Sequence, residues 1–278
     1  MKKQFPGTFA IIAIIVLSFL FSAFAPVKPL SKDKFVVGLE CNYAPFNWTQ
    51  IDDSNDAVAI SGGGGYCGGY DVEIAKIIAE GLGRELEIVK TEWDGLIPAV
   101  NSEKIDAVIA GMSPTEERKF SVDFSDVYYE SDLVIVVRAD GPYANARTIQ
   151  DFSGAKITGQ LNTFHYSVID QIEGVKKQTA MDSFPTMMVA LSSGKIDGYV
   201  SERPHALSVQ ESNPDLTFVA FEEGNGFEAS PEDVAIAVAF KKGNPDLEAV
   251  NEILATISKE DRLAIMDAAI ATQPLSGE

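Results

Sequence analysis

The sequence has few residues that bind transition metals and little positive charge. It contains two cysteines and two histidines in 278 residues, and because a zinc site with three or four such ligands would need nearly all of them, we expect none. Lysine and arginine number 22 against 41 aspartates and glutamates, which gives a formal net charge of −19. Because so acidic a chain repels phosphate backbones and anionic lipids, we expect no nucleic-acid binding.

Motifs of several enzyme and cofactor-binding classes are also missing. The sequence has no P-loop and no G-x-S-x-G nucleophile turn. Residues 192–195 match S-x-x-K, but the partner motifs S-D-N and K-T-G are absent, which favours a helix-end turn. Gly63, Gly65 and Gly68 have dinucleotide-turn spacing, yet the preceding TQIDDSNDAVAI is polar and does not resemble a strand. We therefore expect no cofactor.

The first 25 residues differ in composition from the rest of the chain. Two lysines precede the apolar run TFAIIAIIVLSFLFSAFA, whose last three residues, Ala-Phe-Ala, match a signal peptidase site. We therefore expect residues 1–25 to direct export across the cytoplasmic membrane. Because Pro26 would follow the cut, two alternatives stay open. The segment is removed, or residues 8–25 remain as a membrane anchor, since about 18 apolar residues nearly span a bilayer.

The two cysteines flank a glycine-rich segment. Cys41 and Cys67 lie on either side of the run SGGGG. In an exported chain we favour a disulfide between them over two unpaired thiols.

Strand and helix patterns alternate from residue 34 onward. KFVVGLE, ELEIVKT and IDAVIAGM are typical of buried strands, and DVEIAKIIAEGL of an amphipathic helix. The second half repeats the scheme, and GLIPAVNSEKIDAVIAG and TMMVALSSGKIDGYVSE share one helix–loop–strand form. This pattern predicts two α/β lobes that face one cleft, each lobe a mostly parallel sheet flanked by helices.

The residues that follow the strands suit a small zwitterion. An arginine fork binds a carboxylate, a buried carboxylate holds an ammonium group, and aromatic rings cover a side chain. The candidates are Glu40, Tyr43, Trp93, Gly111, Ser113, Arg118, Thr163, Phe164, His165 and Glu202. Simpler interpretations stay open, since Tyr43 and Trp93 also suit an apolar core and Arg118 also suits a helix surface.

Several segments together resemble a known protein family. GYDVEIAKIIAEGL, YAPFNW, WDGLIPAV, KIDAVIAGMSPTEERK and VDFSDVYY resemble, in order and spacing, the extracellular solute-binding proteins of polar amino-acid ABC importers, family 3. The resemblance covers residue 32 to the end. It implies a type II periplasmic-binding-protein (Venus-flytrap) fold. Lobe one would take residues 32–130 and 235–278, and lobe two residues 131–234.

The resemblance assigns the carboxylate contacts of an amino-acid ligand. Arg118 matches the arginine that grips the α-carboxylate, and Ser113 matches a nearby hydroxyl and backbone donor. Ala110 and Gly111 stand where relatives often have serine, so contacts there would come from the backbone. Thr163 matches a donor from lobe two.

The resemblance also assigns the remaining contacts. Glu202 matches the acid that takes the α-ammonium, and Tyr43 and Trp93 match the aromatic pair around the side chain. Glu40 matches a position that is acidic in binders of basic amino acids. His165, beside Phe164, stands where relatives often have glutamine and leaves the side-chain preference open.

We therefore predict a monomeric substrate-binding component of an ABC transporter. It would capture a free L-amino acid, basic or polar (Lys, Arg, His or Gln), and deliver it to the transmembrane permease subunits. One alternative is an enzyme on the same fold, similar to cyclohexadienyl dehydratase, with His165 or Glu202 as acid or base. Another alternative is a ligand sensor. The C-terminal ATQPLSGE, which contains no signalling domain or membrane helix, argues against the sensor.

Overall fold

The computed structural model describes residues 33–274. The predicted leader at residues 1–25 lies outside the described residues. Among residues 33–274, no helix combines the length and the apolar character that crossing a membrane requires.

The described chain alternates short strands and helices. The strands are β1 (Lys34–Leu39), β2 (Asn42–Tyr43), β3 (Asn47–Gln50), β4 (Val58–Ala59), β5 (Tyr66–Gly68), β6 (Glu85–Lys90), β7 (Ala107–Val108), β8 (Val122–Glu130), β9 (Leu133–Arg138), β10 (Ile157–Thr158), β11 (Gly198–Glu202), β12 (Leu216–Val219) and β13 (Ala235–Lys241). The helices are α1 (Tyr70–Gly81), α2 (Trp93–Asn101), α3 (Glu116–Lys119), α4 (Phe164–Ser167), α5 (Phe184–Ser192), α6 (Arg203–Ser212), α7 (Leu247–Ala255) and α8 (Lys259–Thr272). Short 3-10 turns lie at Ser54–Asp56, Ile149–Phe152 and Val168–Gln171.

Two separate sheets flanked by helices define two α/β lobes. The sheet of lobe one has the order β6-β1-β7-β13-β8, and that of lobe two has the order β10-β11-β9-β12. In lobe one, β1 pairs in parallel with β6 and β7. In lobe two, β10 pairs in parallel with β11. These parallel pairs are joined through helices, as strand–helix–strand units require.

The predicted α/β architecture, with sheets flanked by helices, is confirmed, but both sheets are mixed rather than mostly parallel. Strand β13 runs antiparallel to β7 and β8, and β9 runs antiparallel to β11 and β12. The reason lies in the connections between the lobes. The chain leaves β8 and enters β9 through Ser131 and Asp132, and it returns to lobe one at β13. Strands that carry the chain between sheets need not continue a strand–helix–strand unit, so their direction is not constrained to be parallel.

The two connections between the lobes lie side by side. The amide of Ser131 donates a hydrogen bond of 3.1 Å to the carbonyl of Val234. One backbone hydrogen bond thus joins the outgoing and the returning chain segments.

The glycine-rich segment belongs to a small third sheet that the sequence patterns did not predict. This antiparallel sheet has the order β2-β3-β5-β4. The residues from Gly62 to Gly65 all have positive φ between 83° and 106° and form the turn between β4 and β5. Gly69, which precedes α1, has a φ of 119°, and a Cβ there would lie 2.5 Å from the Phe46 carbonyl oxygen. The glycines therefore serve chain reversal and close backbone packing.

A disulfide joins this small sheet to the end of β1. Cys41 and Cys67 are bonded, with their Cα atoms 5.7 Å apart, and both residues are buried. Thr49 Oγ1 donates to the Cys41 carbonyl at 2.8 Å and adds a second link between the same two segments. The disulfide thereby restrains the backbone on either side of Cys41, which includes Glu40 and Tyr43.

We expect removal of the disulfide to destabilise the protein. The bonded cysteines are 26 residues apart, and a loop of that length corresponds to about 3 kcal/mol of unfolded-state entropy. The Cys41→Ser/Cys67→Ser variant should therefore lose about 3 kcal/mol of unfolding free energy in urea titrations. A reductant should destabilise the wild type and leave the double variant unchanged; equal stability of the two oxidised proteins would contradict the expectation.

Candidate functional site

A small cavity lies where the two lobes meet. Its volume is about 20 Å³, close to the space of one water molecule. Lobe one and lobe two both contribute to its lining, which consists of Tyr43, Trp93, Gly111, Ser113, Arg118, Gln160, Thr163, Phe164 and His165. Larger cavities of about 840 and 550 Å³ lie elsewhere and contain none of the residues predicted from the sequence. Chemistry rather than size therefore marks the candidate site.

The structure brings most of the predicted ligand-binding residues to this cavity. Eight of the eleven line it, namely Tyr43, Trp93, Gly111, Ser113, Arg118, Thr163, Phe164 and His165. The other three, Glu40, Ala110 and Glu202, are buried but do not line the cavity. Both predicted acids thus stand one layer behind the cavity wall.

Arg118 lies on the short helix α3 with its charge directed toward the cleft. Its amide donates to Thr115 Oγ1, the cap that begins the helix. The guanidinium donates to the Ser113 carbonyl at 2.9 Å and to the Asn162 carbonyl at 3.2 Å, and it lies 5.0 Å from the Trp93 ring centroid. Burial lowers its pKa to about 10, so it stays charged at neutral pH. Among residues 33–274 its hydrogen-bond partners are neutral carbonyls, a poor match for a cation that binds carboxylates well.

Glu202 stands at the end of β11 and contacts His165 of α4. Its Oε1 lies 3.1 Å from His165 Nε2, and the two side chains are 4% and 12% exposed. Burial raises the pKa of Glu202 to about 8. Burial, with the charge of Arg118 nearby, lowers the pKa of His165 to about 3. Both shifts favour the uncharged side chains, so at neutral pH the pair has no net charge. One proton then lies in the hydrogen bond between Glu202 and His165.

The outer atoms of this pair have no partner. Within the described part of the chain, neither His165 Nδ1 nor Glu202 Oε2 forms a hydrogen bond, although both atoms are buried. An unpaired buried polar atom costs free energy, so the pair has unused hydrogen-bonding capacity beside the cavity.

Glu40 stands at the end of β1 and contacts a residue of lobe two. Gln160 Nε2 donates to its two carboxylate oxygens at 3.1 and 3.4 Å and also to the Asp182 carbonyl at 3.1 Å. Burial raises the pKa of Glu40 to about 7, and the Gln160 hydrogen bond opposes this rise. Glu40 is therefore a buried acid that a cationic group would stabilise in its charged form.

Aromatic rings form one wall of the site. The Tyr43 ring stacks on Phe184 with centroids 4.1 Å apart and on Phe46 at 5.0 Å. Gly111 follows β7 with a φ of 62°, and a Cβ there would lie 3.1 Å from Tyr43 Cε1. Glycine at this position lets the backbone of the cleft approach the ring.

A buried hydrogen-bond network holds the Gly111 backbone in place. Asp71 of α1 accepts from Tyr128 Oη at 2.7 Å and from Asn47 Nδ2 at 2.8 Å. The Gly111 amide donates to the same Tyr128 oxygen at 3.4 Å. Burial raises the pKa of Asp71 to about 7. Asp71, the first acid of the segment GYDVEIAKIIAEGL, thus supports the backbone of the cleft from behind.

Three further residues belong to the site: Gln160, Asn162 and Phe184 contact Glu40, Arg118 and Tyr43 respectively. Asn162 is among the polar residues that follow the predicted strands, but the resemblance gives it no role. Sequence reasoning missed Gln160 and Phe184. For Gln160 a signal existed, since it follows strand β10 shortly before the predicted Thr163. For Phe184 there was none, because its position in a helix pattern is equally typical of core packing. Among residues 33–274, no cluster of three His, Cys, Asp or Glu side chains could hold a metal ion.

The known proteins that are similar to the chain are named as solute-binding or amino-acid-binding proteins. The sequence profile of the bacterial extracellular solute-binding proteins, family 3, matches residues 35–269. The L-cystine-binding protein TcyJ of Escherichia coli K12 is 32% identical over 238 residues, 85% of this chain and 82% of that protein. The arginine-binding extracellular protein ArtP of Bacillus subtilis is 29% identical over 226 residues, 80% of each chain.

Solved structures are similar to the chain as well. The amino-acid ABC transporter substrate-binding protein AbpA of Streptococcus pneumoniae, bound to L-arginine, superposes with a TM-score of 0.72 at 27% identity. That similarity covers 87% of this chain and 96% of AbpA. An ancestral arginine-binding protein bound to arginine gives a TM-score of 0.70 at 32% identity, over 85% and 98% of the two chains.

We expect Glu202 to make stability fall as the pH rises above neutrality. Its pKa rises from 4.5 to about 8 on folding, so between these values the folded state holds a proton that the unfolded state lacks. Stability then decreases with pH across that window. The isosteric Glu202→Gln variant should show a shallower decrease in urea titrations between pH 7 and 8, without amino acid.

The pH range above 7 separates Glu202 from its neighbours. The pKa values of Glu40 and Asp71 lie at about 7, and that of His165 at about 3, so these groups contribute mostly below this range. Identical slopes for wild type and variant would show that Glu202 is ionised in the folded protein.

Proposed function

The chain belongs to family 3 of the bacterial extracellular solute-binding proteins, and we propose that it captures a free basic or polar amino acid for an ABC importer. This family membership confirms the resemblance seen in the sequence and the two-lobe α/β fold. The observation that carries the proposal is the pairing of opposite charge types across one cleft. A guanidinium with only carbonyl partners lies in lobe one, and an acid with an unpaired oxygen lies in lobe two.

The amino acid would bind through contacts from both lobes. Its α-carboxylate would replace neutral carbonyls on Arg118 and accept from the backbone at Ser113, because carboxylates form stronger hydrogen bonds with guanidinium than carbonyls do. Its α-ammonium would contact Glu202, whose carboxylate becomes charged beside a cation. Thr163 would add a donor from lobe two through its backbone N–H, since its hydroxyl already donates to the Gln160 carbonyl.

The side chain of the amino acid would pass between Tyr43 and Trp93 toward Glu40. Phe164 lies beside this path in the cavity wall, whereas Ala110 supports the backbone behind it. A buried acid at the end of the path favours a cationic side chain and penalises an acidic one. ArtP, which is named for arginine, and AbpA, whose structure has L-arginine bound, support a basic ligand, and TcyJ, named for L-cystine, supports a polar one.

Binding would be coupled to a hinge motion of the two lobes. The cavity of about 20 Å³ is too small for an amino acid, so the lobes must separate to admit one. We place the hinge at the neighbouring connections around Ser131 and Val234, with lobe one at residues 32–130 and 235–278 and lobe two at 131–234. The ligand would meet Arg118, Trp93 and Tyr43 first, and closure would then recruit lobe two.

The partners follow from the transport role. The closed protein, a monomer, would dock on the transmembrane permease subunits of the importer outside the cytoplasmic membrane. Export would depend on residues 1–25, either removed or retained as an anchor. The relatives reported above are named for binding and not for catalysis, which supports a binding role over the dehydratase alternative.

Loss of Arg118 should abolish tight binding. We expect Arg118→Ala to weaken L-arginine binding by roughly 100-fold or more, because the ligand carboxylate would be buried without its charge partner. Calorimetry would measure the dissociation constants. Lys104→Ala, which removes a positive charge from an exposed position outside the cavity, serves as the matched control. Wild-type affinity in Arg118→Ala would refute the carboxylate assignment.

Glu40 should decide the preference for a cationic side chain. Glu40→Gln is expected to weaken L-arginine about tenfold more than L-glutamine, because only the former loses an ionic partner. The same calorimetric titrations, with Glu85→Gln at an exposed position of β6 as control, would measure the two changes. An equal loss for both ligands would remove the basis for cation preference.

A further inference from the structure

One short segment of lobe two contacts all three charged residues that would bind the amino acid in the proposed function. We call residues 160–165, which follow β10 and include the first two residues of α4, the inner segment. Its Gln160 contacts Glu40, its Asn162 contacts Arg118 and its His165 contacts Glu202. Each partner is a neutral group that stands where a charged ligand group of the proposed function would be needed.

The contact between Gln160 and Glu40 is fully buried. Both residues are 2% exposed, and the amide nitrogen of Gln160 is within hydrogen-bond distance of both carboxylate oxygens. The same nitrogen is tied to the Asp182 carbonyl of lobe two. Gln160 therefore links the lobes through a donor placed as a cationic side-chain group would be.

The contact between Asn162 and Arg118 lies at the edge of the cleft. Asn162 has a φ of 56°, and its carbonyl accepts from Arg118 Nη2 at 3.2 Å and from Trp93 Nε1 at 3.4 Å. Its side-chain nitrogen donates to Asp94 Oδ1 at 2.8 Å. The carbonyl thus occupies one arm of the guanidinium that would otherwise bind a carboxylate.

The rest of the inner segment is internally braced. Thr163 Oγ1 donates to the Gln160 carbonyl at 2.7 Å, and the Tyr166 amide donates to the Thr163 carbonyl at 3.2 Å. His165 is thereby held against Glu202, with its other ring nitrogen unpaired. The three contacts form together, because they come from one braced turn.

We propose that the inner segment competes with the ligand for Glu40, Arg118 and Glu202. We also propose that Gln160 sets ligand preference, because a basic side chain must replace Gln160 at Glu40 in order to bind there. This inference rests on the proposed function. An amino acid must supply a carboxylate in place of the Asn162 carbonyl and an ammonium in place of His165. A basic side chain also replaces Gln160, whereas a short side chain leaves Gln160 on Glu40. Charged groups displace neutral ones because charge-assisted hydrogen bonds are the stronger.

Competition of this kind has a measurable consequence for affinity. A protein whose lobes close on their own groups is competent to bind for only part of the time, which weakens the apparent affinity by that fraction. Removing Gln160 should relieve the competition for ligands that reach Glu40 and leave other ligands unaffected.

A double-mutant cycle tests the exchange on the full chain. The proteins are the wild type, Glu40→Gln, Gln160→Met and the double variant, and the readout is the Tm with and without L-arginine at a saturating concentration for all four. Without arginine, we expect the Tm changes of the single variants to differ from additivity by about 2–4 °C, as for contacting residues. With arginine, the non-additivity should vanish, because the guanidinium has replaced Gln160.

Ligand preference provides a second measurement. The ratio of two dissociation constants should change in opposite directions for two possible roles of Gln160. We expect Gln160→Met to raise the ratio of the dissociation constants of L-alanine and L-arginine severalfold, since only arginine is relieved of competition. Gln210→Met, at an exposed position of α6, is the matched control. A fall in the ratio would mean that Gln160 binds the ligand directly and would overturn the inference.

The outcomes separate this inference from the proposed function. If amino acids bind but the Tm changes measured without arginine are additive, the inference is overturned and the proposed function stands. Non-additivity that is equal with and without arginine also overturns it, because Gln160 then stays on Glu40. If none of the twenty amino acids binds the wild type, the proposed function and the exchange both fail.

Discussion

The cleft depends on the cost of burying charged groups between the two lobes. Burial shifts three pKa values in the direction that favours the uncharged side chain, those of Glu40, Arg118 and Glu202. Such groups must be neutralised, hydrogen-bonded or paired with an opposite charge. The two acids meet this requirement by protonation and neutral partners, and Arg118 meets it through backbone carbonyls. A ligand with the opposite charges would satisfy the same requirement better, so in the proposed function closure and binding would favour each other.

The scaffold holds the lobe-one half of this arrangement rigidly. The disulfide at Cys41 restrains the chain between Glu40 and Tyr43, and the network of Asp71 and Tyr128 fixes the backbone at Gly111. Lobe two contributes its groups from one braced turn and is connected through the segments around Ser131 and Val234. With the proposed hinge at these segments, a fixed half would face a moving half, which is the arrangement that a closing receptor needs.

Local patterns predicted the regular elements well and the irregular ones poorly. The helix expected at residues 71–82 is α1 (Tyr70–Gly81), and the strand expected at 85–91 is β6 (Glu85–Lys90), because both have strong periodicity. Helix α6 and the small sheet around the glycines were missed, since RPHALSVQES is polar and two-residue strands have no period to detect. The antiparallel directions of β9 and β13 were missed because strand direction is a property of the connections.

The sequence by itself determined the chemistry of the site, the two α/β lobes and the family, because these depend on residue types at strand ends and on spacing along the chain. Only the tertiary structure decided which groups meet. It placed Glu40 and Glu202 one layer behind the cavity and brought Gln160, Asn162 and His165 onto the three charged residues. Contacts between residues as much as 120 positions apart arise from how the two lobes pack, and no local pattern encodes them.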